Sequence, residues 1–167
     1  AYSLDDIEHL KTFDRYNLIM IEQPLAWDDI LSHRHLQKEC RTPICLDESI
    51  HTLSDVKLMV EFKAGQIVNI KPGRVGGFTE SIAMHDYCSQ HNLPVWCGGM
   101  LESGIGRAYN VALASLPNFK IPGDISPSKR YWAEDVVTPE WTMNKNGEIA
   151  VPLDKVGLGV DIKKEFI

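Results

Sequence analysis

A repeated unit of about 25 residues constrains the fold of this chain more than any other feature. Each unit contains a short apolar segment, then a polar or glycine-rich cluster, then apolar residues at helical spacing. The clusters contain Glu22, Asp47, Lys71, Gly98 and Asp124, so their successive separations are 25, 24, 27 and 26 residues. Short apolar runs that alternate with helices of about 10–15 residues are typical of parallel β/α units. The sequence therefore predicts five such units in succession.

The apolar segments predict five strands and five helices. Strands are expected at 18–21, 43–46, 67–70, 95–97 and 119–121. Helices are expected at about 4–13, from Asp28 or Asp29 to Cys40, from Ser54, and at 79–90 and 106–116, with Ser3 and Asp6 as a capping box. Because every cluster follows a strand, the clusters meet on one face, which favours part of a (β/α) barrel over a doubly wound sheet.

The last part of the chain does not continue this pattern. Residues 144–147 predict a hairpin turn between strands at 141–143 and 149–151, and the tail around 157–160 is rich in glycine. We expect this segment to cross back over the barrel or to pack on another domain.

Composition limits the classes of partner. The 167 residues carry 17 Lys and Arg against 23 Asp and Glu, a net charge of −6, which argues against nucleic acid and anionic membranes. No apolar run reaches the roughly 20 residues that span a bilayer. The four cysteines lack C-x-x-C spacing and resemble buried small hydrophobic residues, so we expect a reducing, cytoplasmic location.

Glu22 and Asp47 are the candidate metal ligands. Each ends an apolar strand, and carboxylate oxygens at neighbouring strand ends suit Mg²⁺ or Mn²⁺. The alternative is that both acids only form hydrogen bonds with loops. Gln23 and Glu48 flank the two acids and are candidates for orienting them.

Lys71 is the candidate catalytic residue. It follows the strand 67–70 and has no acidic neighbour in the sequence. A lysine at a barrel mouth acts as a general base or forms a Schiff base when it loses its proton. The alternatives are a solvent-exposed lysine or a counter-ion for Asp47.

The glycine-rich run 98–107 is the candidate substrate loop. Glycines let the backbone approach a ligand closely, and N–H groups that open a helix favour an anion. The run lacks the G-K-[ST] ending of a phosphate loop, and a plain glycine-rich turn is the alternative. Arg74 and the glycines after it are expected to be structural, and the histidines are not expected to be ligands.

Four segments together resemble the enolase superfamily in order and spacing: 21–24, 46–49, 69–77 and 98–106. Within its muconate-lactonizing subgroup they are most similar to the o-succinylbenzoate synthase / N-acylamino acid racemase family. The resemblance covers essentially the whole chain, and residues 122–126 also fit it. It implies a modified (β/α)₇β barrel with an α+β capping domain.

The resemblance also implies roles for individual residues. The family binds one divalent metal, usually Mg²⁺, through three carboxylates and uses two lysines on opposite sides of the pocket. Glu22 matches the second ligand, Asp47 the third, and Lys71 the lysine of the sixth strand. The implied substrate contacts are Gly98, Gly99, Met100, Leu101 and Ile105, with Gln23, Glu48 and Asn69 supporting the ligands.

The family's first metal-binding Asp and its K-x-K lysine are expected upstream of this chain. We therefore expect residues 1–135 to form the second half of the barrel and residues 136–167 to return toward a capping domain that is mostly absent. The missing N-terminal half is then an expected partner, and the isolated chain is expected to be inactive. The oligomeric state is left open, a homo-oligomer included.

The expected activity of the parent protein is Mg²⁺-assisted removal of a proton α to the carboxylate of a small molecule. The outcome is dehydration to o-succinylbenzoate in menaquinone synthesis, racemisation of N-acylamino acids, or both. Muconate cycloisomerase and dipeptide epimerase are alternatives on the same scaffold. A Schiff-base aldolase and a non-catalytic half-barrel are alternatives of other classes.

Overall fold

The computed structural model describes residues 1–167 and contains a four-stranded parallel sheet. The strands lie in chain order: β1 (Ile21–Glu22), β2 (Ile44–Leu46), β3 (Ile67–Ile70) and β4 (Val95–Cys97). Every residue of β2 and β3 is buried, as expected for inner strands of a parallel sheet. Glu22 pairs with Cys45, and Ile70 pairs with Cys97, so the carboxyl ends of the strands lie side by side.

Two predicted strands differ from the structure. The strand expected at 18–21 is observed at 21–22, because only Ile21 and Gln23 donate backbone hydrogen bonds to the β2 segment, and Leu18 and Ile19 are exposed. The strand expected at 119–121 is reduced to one parallel bridge between Val95 and Phe119. Lys120 N–H donates locally to Asn118 O, and Pro122 has no N–H, so the ladder stops there.

Six α-helices connect and cover the strands: α1 (Ile7–Lys11), α2 (Ile30–Glu39), α3 (Leu53–Phe62), α4 (Pro72–Val75), α5 (Phe78–Gln90) and α6 (Gly104–Ala114). The predicted capping box of Ser3 and Asp6 is confirmed, although the helix there is a 3₁₀ turn followed by α1. Asp29 caps α2, whereas Thr52, rather than Ser54, precedes α3 in a capping box with Asp55. The helix α4 was not predicted, although proline suits a first helical position. None of the helices has the length and apolar character needed to cross a membrane.

The main core lies between the sheet and the helices. It contains 18 buried apolar residues, including Leu36 of α2, Met59 of α3, Met84 of α5 and Leu113 of α6. Burying a side chain of this size contributes about 1.5–3 kcal/mol to folding. All four cysteines are free and buried, as expected, and burial raises the pKa of Cys45, Cys88 and Cys97 to about 12.

The C-terminal segment packs on α6. Val137 and Trp141 form a second apolar cluster with Ala108 and Val111 of that helix. Two short strands, β5 (Val137–Thr138) and β6 (Asp161–Ile162), pair antiparallel.

The turn predicted at 144–147 is present, since Asn144 N–H donates to Glu148 O at 2.9 Å. The strands expected on either side of the turn, at 141–143 and 149–151, are absent. The backbone N–H and C=O of Trp141 bond to Ser128 instead of to a second strand.

Candidate active site

Lys71 and Asp47 are in direct contact at the carboxyl ends of β3 and β2. Lys71 Nζ donates to Asp47 Oδ2 at 2.7 Å, and the side chains of Lys71 and Asp47 are 17% and 4% exposed. Each residue directly follows its strand, so the parallel arrangement of β2 and β3 places the two groups together. The candidate base, Lys71, therefore forms a hydrogen bond with the candidate metal ligand, Asp47.

Arg74 is a second cation beside Asp47, although only a structural role was expected for it. The one-turn helix α4 follows Lys71 and brings Arg74 Nη1 to Asp47 Oδ1. Its other nitrogens donate to the carbonyl oxygens of Ile50, at 2.7 Å, and Asn69, at 2.5 Å. Burial lowers the pKa of the guanidinium, and the nearby Asp47 carboxylate opposes that shift. A proline directly after Lys71 was the available signal for a helix that turns residue 74 back toward the site.

Glu22 lies at the exposed edge of the sheet, and Asn69 holds it from β3. Loss of hydration around the carboxylate raises the pKa of Glu22. Asn69 Nδ2 donates to Glu22 Oε1 at 2.8 Å and partly opposes this shift. Asn69 is completely buried, and its Oδ1 has no hydrogen-bond partner. A buried acceptor without a donor costs folding free energy, and Asn69 Oδ1 is such an atom at this site.

Gln23 orients the loop that carries Asp47. Gln23 Oε1 accepts from the backbone N–H groups of Asp47, at 2.9 Å, and Ser49, at 3.2 Å. Gln23 Nε2 donates to Ser49 Oγ at 2.7 Å. Glu48 is exposed and has no side-chain hydrogen bond, so it affects the site through its negative charge, which raises the pKa values of Glu22 and Arg74.

The two glycines after β4 allow close packing at the strand ends. A Cβ atom on Gly98 would overlap Asn69 Oδ1 and Lys71 Cε, and one on Gly99 would overlap the carbonyl oxygen of Asp124. The glycine pair is therefore required for this close approach. The structure thus places Gly98 directly beside the candidate base.

The other predicted substrate contacts separate into two groups. Met100 and Leu101 are 58% and 68% exposed, and both follow the glycine pair. Ile105 instead packs against the second apolar cluster, with Ala108 and Val137. Only the first pair is exposed at the end of β4.

The donor set fits Mg²⁺ as part of its coordination shell. Mg²⁺ is usually held in proteins by one or two carboxylates together with water and substrate oxygens, and Glu22 and Asp47 supply two hard oxygen donors. No group of three His, Cys, Asp or Glu side chains suited to a metal ion occurs among residues 1–167.

Another groove lies away from this site. It has a volume of ≈ 580 Å³ and contains Arg34 and Lys38 of α2, together with Lys63, which follows α3. Lys38 and Lys63 lie at the C-terminal ends of their helices, where a cation interacts favourably with the helix dipole.

Comparison with known proteins identifies the family of the chain. Residues 2–166 match the family described as Enolase C-terminal domain-like. The chain belongs to this family. The match confirms the enolase superfamily resemblance and the expected barrel class, of which this part is the C-terminal portion.

Two curated relatives match this enolase-family chain over nearly all of its length. The o-succinylbenzoate synthase of Bacillus subtilis is 56% identical over 167 residues, which are 100% of this chain and 44% of the relative. The N-succinylamino acid racemase of Amycolatopsis sp. is 50% identical over 160 residues, which are 96% of this chain and 43% of the relative. The chain thus spans less than half the length of these relatives.

Solved structures share the same fold. An enolase superfamily member from Listeria innocua has a TM-score of 0.95 and 43% identity, covering 99% of this chain and 44% of that one. A dipeptide epimerase from Cytophaga hutchinsonii, solved with Mg and a dipeptide, has a TM-score of 0.90 and 25% identity, covering 99% of this chain and 45% of that one.

Proposed function

We propose that the full-length protein removes a proton α to the carboxylate of a small molecule, with Mg²⁺ bound. The observation that carries this proposal is the 2.7 Å contact between Lys71 Nζ and Asp47 Oδ2, at neighbouring strand ends of an enolase-family barrel. It brings together a group able to accept a proton and a carboxylate able to bind a metal ion.

Glu22 and Asp47 are the residues that would hold the ion, with a third carboxylate from the upstream half of the protein. Mn²⁺ has the same preference for oxygen donors and is expected to substitute. When bound, the ion would supply electrostatic stabilisation of the negative charge that develops on the substrate carboxylate. The magnesium in the dipeptide epimerase supports this choice of metal.

Lys71 is the proposed proton carrier. In its neutral form Nζ accepts the α proton, and in its charged form Nζ returns it. Arg74 forms an ion pair with Asp47 in both protonation states of Lys71, so Asp47 keeps a counter-ion when Lys71 is neutral. Asn69 and Gln23 hold Glu22 and the Asp47 loop in place, which fixes the geometry around the reacting carbon.

Two reactions share this chemistry. The relatives support both dehydration to o-succinylbenzoate, in menaquinone synthesis, and racemisation of N-succinylamino acids as a form of N-acylamino acid racemisation. In racemisation Lys71 acts on one face of the substrate, and the lysine of the upstream half acts on the other. Dipeptide epimerase is less supported, since the relative named D-Ala-D/L-Ala epimerase is 28% identical. The alternative of a muconate cycloisomerase is supported by similarity of fold alone.

We also propose how the chain is divided. Residues 1–135 would form the second half of the barrel, and residues 136–167 would return toward the capping domain. The N-terminal half would supply the remaining ligand and lysine. The four free, buried cysteines support a reducing, cytoplasmic location.

The test is an assay of the full-length protein with Mg²⁺. The o-succinylbenzoate precursor should give the aromatic product, or an optically pure N-succinylamino acid should lose optical activity, and EDTA should stop either reaction until Mg²⁺ or Mn²⁺ is restored. Activity that persists in EDTA, together with borohydride trapping of a carbonyl substrate on Lys71, would instead establish a Schiff-base aldolase. Absence of every activity would favour a non-catalytic, structural or interaction role.

A further inference from the structure

We propose that Glu102 is a positioning residue that holds the backbone of the glycine loop, residues 98–103, so that Met100 and Leu101 are presented to the substrate. This inference rests on the proposed function, because it assigns the way in which the same site orders its apolar substrate contacts.

The Glu102 carboxylate closes the loop on itself. Both of its oxygens accept from the backbone N–H of Met100, at 2.8 Å and 2.9 Å. Hydrogen bonds to an ionised acceptor are stronger than those between neutral groups. The two residues that lie between the glycine pair and Glu102, Met100 and Leu101, are therefore held in one backbone arrangement.

Helix α6 holds the Glu102 side chain in turn. Asn110 Nδ2 donates to Glu102 Oε1 at 2.8 Å, and Asn110 is 2% exposed. A Cβ on Gly106 would come within 2.9 Å of Glu102 Cβ, so this glycine in the first turn of α6 leaves the space that the Glu102 side chain occupies. The carboxylate is thus directed back toward Met100 from a rigid element.

The backbone on the far side of Glu102 has its own anchors. Trp132 Nε1 donates to Glu102 O at 3.1 Å, and Trp141 Nε1 donates to Gly104 O at 2.8 Å. The buried carboxylate of Asp135 accepts from Gly104 N–H at 2.7 Å. These contacts do not involve the Glu102 side chain, so removing that side chain should loosen residues 99–101 while α6 and the fold remain.

The side chains that this arrangement presents are apolar and exposed. Met100 and Leu101 are more than half exposed, although their backbone is held on both sides. Ordering a loop before the ligand arrives reduces the entropy lost on binding. Glu102 therefore acts on substrate binding through the backbone of Met100.

The experiment compares Glu102→Ala and Glu102→Gln in the full-length protein with Glu61→Ala. Glu61 lies on α3, is exposed, and forms no hydrogen bond or ion pair, so it controls for the loss of an acidic side chain. Hydrogen exchange at the 98–103 peptide and the kinetics of both proposed reactions are measured with Mg²⁺.

We expect faster exchange of the Met100 amide in Glu102→Ala, with KM raised about tenfold and kcat within about threefold of the original. Glu102→Gln should recover part of both effects, since an amide oxygen can still accept from Met100 N–H, and Glu61→Ala should change neither.

Unchanged exchange in Glu102→Ala would overturn the proposal, as would a fall in kcat with KM unchanged. Faster exchange without any change in KM would overturn the role in presenting substrate contacts. A wild-type protein without either activity would contradict the proposed function instead, and the exchange comparison would still decide whether Glu102 holds the loop.

Discussion

Lys71 Nζ donates to Asp47 Oδ2 at 2.7 Å, and this contact joins two residues that are 24 positions apart in the sequence. It forms because both residues directly follow neighbouring parallel strands. The same carboxylate also forms an ion pair with Arg74. One buried acid therefore contacts two cations and is also the proposed ligand of the metal ion. Substitutions of Lys71 and Asp47 separate these roles.

Replacing Lys71 separates proton transfer from charge compensation. Lys71→Ala and Lys71→Arg in the full-length protein should each lower kcat of racemisation by about 10²–10⁴, because arginine keeps the positive charge but does not release its proton near neutral pH. Chiral chromatography of the product measures this. Lys63→Ala is the control, since Lys63 is exposed and forms no ion pair. Racemisation that survives in Lys71→Ala would remove Lys71 from the mechanism.

Replacing Asp47 tests the metal site. Asp47→Asn keeps the shape of the side chain and removes its charge, so we expect Mg²⁺ affinity of the full-length protein to fall by at least about tenfold, or about 1.4 kcal/mol. Isothermal titration calorimetry with Mg²⁺ measures the affinity directly, with Glu61→Gln as the matched control. An unchanged dissociation constant would show that Asp47 is not a ligand.

Adding a methyl group at Gly98 should displace side chains of the candidate active site. Gly98→Ala would force Asn69 and Lys71 to move, and overpacking of this kind costs about 1–3 kcal/mol of unfolding free energy. Gly73→Ala is the matched control, because a Cβ at Gly73 meets no atom within 4 Å. Urea denaturation and kcat of the two variants should differ clearly. Equal stability and activity would mean that the space beside Gly98 is not needed.

The stability of the chain should depend on pH through His33. His33 is buried, its Nε2 accepts from Leu25 N–H at 3.2 Å, and burial lowers its pKa below 6.5. The unfolded chain therefore takes up a proton below pH 6.5 that the folded chain does not, so this contribution to stability is lost as the pH falls, by at most about 1.4 kcal/mol per pH unit.

Urea denaturation between pH 7.5 and pH 5 measures this effect. His33→Gln should reduce the slope of stability against pH, whereas His35→Gln, at an exposed position on the same helix, should leave it unchanged. Identical slopes in the wild type and His33→Gln would contradict the assignment to His33.

The local pattern of the sequence was sufficient for most elements and for the placement of the three candidate catalytic and metal-binding residues at strand ends. A run of apolar residues identifies an inner strand because both of its faces are buried, as in β2 and β3. The residue that ends such a strand lies at a common face in any parallel sheet. The position of Glu22, Asp47 and Lys71 at the strand ends was therefore predictable without knowledge of their contacts, and their roles stay a prediction.

Contacts between distant residues required the tertiary structure. The strand expected at 119–121 was reduced to one bridge because Lys120 bonds locally, which no apolar pattern reveals. Three contacts depend on where a short helix, a strand or a loop places each side chain: Arg74 with Asp47, Asn69 with Glu22, and Glu102 with Met100. The spacing of the sequence determines which residues lie at one end of the sheet. The relative position of the folded elements decides which of these residues are in contact. Those contacts then determine the orientation of the side chains and the shifts of their pKa values.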